Sequence, residues 1–162
     1  MTAALTWGLL GAWMVHDAEE LATMAGWLER HHPELAERYP WLNLSQERVN
    51  TAIGLMGVVV AAAAADGART GGRSAFFQAA VAGFGLHGLT HLAQAAVARG
   101  YTPGVVTAPL VVLPYSAWAW RRLKRDGLLR PGRPAAGAAW GVAALAGVHA
   151  LAHLLTGKPT PS

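Results

Sequence analysis

Between residues 5 and 27 the chain sets His16, Asp17, Glu19 and Glu20 inside an otherwise apolar run. A helix of that length crosses the roughly 30 Å of a bilayer's hydrocarbon core. An unpaired ionisable group there costs about 3 kcal/mol or more, so these four side chains need partners from elsewhere in the fold. Only 14% of the residues are Asp, Glu, Lys or Arg, against about 25% in a soluble domain, which favours the membrane reading.

Four further apolar runs follow, at residues 49–65, 76–98, 103–120 and 138–156. Ser45 suits the start of the second, and its alanines suit close helix packing. His87 and His91 lie in the third, and His149 and His153 in the fifth. Thr102 and Pro103 suit the N-cap and first position of the fourth, which Pro109 and Pro114 would kink. The stretches between runs are polar, basic or rich in glycine and proline, as loops should be. The expected fold is all-α: one integral-membrane bundle of five transmembrane helices over residues 1–162.

Charge placement sets the expected topology. No Lys or Arg precedes Arg30, so the first run lacks the basic flank of a signal peptide and reads as a retained span. With five spans, eight Lys or Arg fall on the side of the N-terminus and five on the other. The positive-inside rule then puts the N-terminus in the cytoplasm of a multi-pass plasma-membrane protein. Because the net charge of +4 resides in these flanks, membrane lipid is the expected partner and nucleic acid is not. The absence of cysteine excludes disulfides, thiolate metal sites and a cysteine nucleophile, so any metal would be held by nitrogen and oxygen.

Runs one, three and five travel in the same direction. At about 1.5 Å per residue, their polar groups fall in one slab roughly 10 Å thick on the non-cytoplasmic side of the midplane. His87 and His91 are four residues apart, as are His149 and His153, so each pair projects from one helix face and suits a shared metal ion. His16, Glu19 and Glu20 occupy positions i, i+3 and i+4 of a third face. The expected metal ligands are therefore His16, Glu19, Glu20, His87, His91, His149 and His153, with Glu19 or Glu20 as bridging ligand or general base. Seven donors exceed the needs of one ion and suit two divalent ions, zinc or iron.

Plainer roles compete at each position. A single intramembrane histidine often joins helices by a hydrogen bond. Asp17 points a quarter turn from the rest. Asn50 suits either the surroundings of the site or helix packing. Tyr101 and Thr102 read as an interfacial residue and a cap, His31 and His32 as solvated, and Trp118, Trp120 and Trp140 as belt aromatics.

The stretch His16-Asp17-Ala18-Glu19-Glu20 resembles the motif of the HXXEE family, small bacterial membrane proteins of uncharacterised function. His87-Gly88-Leu89-Thr90-His91, Tyr101-Thr102-Pro103-Gly104 and the His149/His153 pair are similar to that family too. The resemblance implies a bacterial inner-membrane protein and groups these residues without implying a reaction.

The leading functional expectation is an integral-membrane metalloenzyme with a dinuclear His/Glu centre, acting on a lipid-like or apolar small molecule. Zinc would imply hydrolysis, and iron would imply oxidoreduction. The alternatives are a metal-free His/Glu proton-transfer protein (an isomerase or small transporter) and a b-type haem protein.

Overall fold

A computed structural model describes residues 3–42, 44–129 and 134–156, apart from the side chains of residues 134–140 and 145. The side chain of Trp140 and the chain beyond residue 156 lie outside the described residues. Those described form no strand. The helices are α1 (Ala3–Thr23), α2 (Trp27–His31), α3 (Pro33–Arg38), α4 (Gln46–Arg69), α5 (Ala75–Ala98), α6 (Leu113–Arg125) and α7 (Pro134–Thr156). A π-helical turn, Ala108–Val112, leads into α6.

Local chemistry sets the ends of these helices. The expected first run reached residue 27, but α1 stops at Thr23 because Gly26 turns the chain with φ +63°. Ser45 caps α4 by accepting a hydrogen bond from the Arg48 N–H. Ser74 does the same for α5 from Phe77, and its hydroxyl also donates to Asp66 at the end of α4. That exchange ties the α4–α5 turn together. The fourth helix was expected to open at Thr102 and Pro103. Instead the chain turns there, with Gly104 at φ +84°, and becomes helical only after Val106.

The bundle packs α1 on α4, α4 on α5 and α7, and α5 on α6 and α7, with the π turn wedged between α1 and α5. Glycine permits several of these approaches. A β-carbon at Gly67 would stand 2.6 Å from Cγ of Phe77, and one at Gly57 would stand 2.8 Å from the Trp13 ring. The apolar core gathers Leu5 and Leu9 of α1, Val60 and Ala63 of α4, Phe77 and Val81 of α5, and Leu123 of α6. All of these lie toward the α4–α5 turn. The opposite half of the bundle, where α1 and α5 end, holds the buried His16, Asp17, Glu20 and His91.

Among the described residues one helix, α4, is long and apolar enough to cross a membrane. α1 is nearly as long but carries three carboxylates, and α5 carries Gln78, His87, His91 and Gln94. His16 and Glu20 on α1 and His87 and His91 on α5 are among the residues that lower the hydropathy of these two helices.

Candidate metal centre

Four of the expected site residues meet. His16 and Glu20 come from successive turns of α1, and His87 and His91 from successive turns of α5. One nitrogen or oxygen from each lies within 4.8 Å of all the others. His91 Nε2 stands 3.0 Å from His87 Nε2 and 3.2 Å from Glu20 Oε1. Glu20 Oε1 is 3.9 Å from His16 Nε2 and 4.0 Å from His87 Nε2. The rings meet edge to face, with centroids 4.4 Å apart for His87 and His91 and 4.8 Å apart for His16 and His91.

These separations can be compared with a metal's requirement. Ligands bound at 2.0–2.1 Å around a tetrahedral ion are about 3.4 Å from one another. The observed separations bracket that value. His16 Nε2 and Glu20 Oε1 are both buried and have no hydrogen-bond partner. Leaving such atoms unsatisfied costs about 1–3 kcal/mol each, more for a charged group, and a cation between them would remove that cost. Donor type and spacing therefore fit a divalent ion.

The loop between α5 and the π turn covers the cluster. His91 Nδ1 is 2.8 Å from the carbonyl oxygen of Pro103, which can only accept, so Nδ1 carries a proton and Nε2 is left facing the cluster. Gly104 lies against the rings of His91 and His16, with no room for a side chain. His16 Nδ1 contacts the Thr107 hydroxyl at 2.8 Å. Glu19, although it belongs to the motif, turns toward this loop. Its Oε1 accepts from the Tyr101 hydroxyl and the Val106 N–H, and its Oε2 accepts from the N–H and hydroxyl of Thr107. Partial burial, together with the Glu19 carboxylate, raises the Tyr101 phenol above its usual range and keeps it a donor.

The other polar residues weighed from the sequence lie outside the four-residue group. Asp17 is buried on α1 outside the four-residue group. His149 and His153, on α7, are both exposed and lie outside the four-residue group. Asn50 accepts a hydrogen bond from Gln46 within α4. His31 stacks on Trp27, with ring centroids 4.9 Å apart, in the α2 segment.

The sequence marks Tyr101 as an interfacial residue and Thr102 as a helix cap, and gives no signal for Thr107 or the Pro103 carbonyl. Pro103-Gly104, a few residues after the end of the histidine-bearing α5, is a strong turn signal that marks the loop.

No curated protein and no solved structure matches the chain. A family described as "protein of unknown function with HXXEE motif" matches residues 7–119, which include the cluster and its covering loop. The chain belongs to the HXXEE family.

Proposed function

We propose that this protein is a multi-pass membrane metalloprotein whose centre is held by His16, Glu20, His87 and His91. The observation that carries this reading is the approach of four donor atoms, three of them from buried residues, to within 4.8 Å, two of the atoms being orphaned. The distribution of side chains supports the membrane part. The buried set includes His16, Asp17, Glu20 and His91, while Val58, Val97, Leu110 and Leu154 are each at least 69% exposed. Polar groups inside and aliphatic groups outside is the arrangement a bilayer selects. The five-span topology, with a cytoplasmic N-terminus, is part of this proposal.

The four residues would hold one ion. A second would rest on His149 beside His87 and on His153 one turn further along α7. Bound zinc would supply Lewis acidity for hydrolysis of an ester, amide or phosphoester, and bound iron would supply redox chemistry toward an apolar molecule. Gly104 and its loop close the side of the cluster formed by His16 and His91. The side chain of His87 retains 27% exposure and marks the side by which a substrate from the bilayer would enter. The contiguity of His87, His91 and Glu20 supports a second reading, in which these groups relay protons without a metal.

X-ray absorption at the edge of the bound metal tests the proposal. It predicts a shell of nitrogen and oxygen at about 2.0–2.2 Å with imidazole scattering beyond it. A shell without imidazole would contradict it.

A further inference from the structure

The Thr107 hydroxyl has a single proton and two short contacts, besides a longer 3.4 Å approach to the Gly104 carbonyl. One, at 2.6 Å, is to Glu19 Oε2, and the other, at 2.8 Å, is to His16 Nδ1. A carboxylate only accepts, so the hydroxyl proton points to Glu19. The threonine oxygen is then an acceptor toward His16, and the proton in that contact must be on Nδ1. Glu19 itself is held from three further directions, by Tyr101 and by the N–H groups of Val106 and Thr107. Its four acceptor positions are filled by the loop, and the Thr107 contact has one consistent direction.

We propose that Thr107, oriented by Glu19, is a positioning residue that fixes His16 as the Nδ1–H tautomer and aims the Nε2 lone pair into the cluster. The proposal rests on the reading of that cluster as a metal centre. The loop then does the same work twice, since the Pro103 carbonyl sets His91 in the same way. It also assigns distinct tasks within the motif: His16 and Glu20 face the ion, and Glu19 holds the loop that orients His16. Metal-binding histidines generally have their second nitrogen held by an acceptor, and loss of that acceptor weakens metal binding by about 10–100-fold.

The test uses the full chain in detergent micelles. Long-range nitrogen–proton spectra of histidine-labelled, metal-free protein report the tautomer of His16, assigned by comparison with a His16→Gln variant. Cobalt(II) and zinc titrations report affinity. The wild-type protein is expected to show His16 protonated on Nδ1 alone. Thr107→Val is expected to lose that preference and bind both ions about 10–100-fold more weakly, while Thr107→Ser, which keeps the hydroxyl, restores both properties. His16 protonated on Nε2 in the wild-type protein would overturn the proposal whether or not the valine variant folds. So would a folded Thr107→Val protein with unchanged tautomer and affinity. Should the wild-type protein bind neither ion, the metal reading falls, and the His16 spectrum alone decides whether Thr107 sets the tautomer.

Discussion

Gly104 and His91 touch in a way that leaves no space for a side chain: a β-carbon at Gly104 would stand 2.6 Å from Cε1 of His91. The same carbon would lie 2.9 Å from Cε1 of His16, and Gly104 adopts φ +84°, which other residues rarely tolerate. One residue therefore lets the loop backbone approach two rings of the cluster.

Replacing Gly104 by alanine should strain the backbone and push the loop off both imidazoles. The expected cost is about 1–3 kcal/mol of stability, with metal affinity lowered by at least about 10-fold. Thermal unfolding in detergent and zinc titration read the two effects. Unchanged values for both would show that the loop does not press on the cluster.

His149 and His153 supply a test of how many ions the centre holds. Both are exposed on α7, and neither belongs to the four-residue group. The His149→Ala/His153→Ala protein should keep about one equivalent of metal. A wild-type protein that holds about two equivalents and a double variant that holds about one would place the second ion at α7. Complete loss of metal from the variant would make α7 part of the primary site.

The absence of cysteine makes topology directly measurable. Single cysteines at the exposed positions Arg73 and Lys124 should react with a membrane-impermeant maleimide only after the cells are opened. A cysteine at exposed Glu37 should react in spheroplasts whose inner membrane is intact. Reversal of the pattern would invert the assigned orientation, and reaction of all three from one side would contradict the five-span arrangement.

The pairing of α1 with α5 could be read from sequence because two i, i+4 pairs, His16/Glu20 and His87/His91, had to bury polar groups in apolar helices. Spacing within a helix survives folding, so each of these two pairs shares one face. The covering loop was harder to see. The Pro103 contribution is a backbone carbonyl, which has no residue-type signature, and that of Gly104 is the absence of an atom. Thr107 acts through a contact across 91 residues of chain to His16. Glu19 was grouped with Glu20 because adjacent carboxylates look alike in sequence. The 100° turn between successive helical residues separates them, sending Glu20 into the cluster and Glu19 to the loop. The helix ends were displaced for local reasons, with positive-φ glycines at 26 and 104 placing turns where apolar composition continued.

The central claim is that His16, Glu20, His87 and His91 hold a metal ion, and elemental analysis of the purified, detergent-solubilised protein tests it most directly. The wild-type chain should carry at least about one equivalent of zinc or iron, and Glu20→Gln and His91→Ala should each retain less than about a tenth of it while keeping their helical circular dichroism. A folded wild-type protein free of metal after growth in supplemented medium would contradict the account, as would variants that keep their metal or a Soret band showing haem in its place.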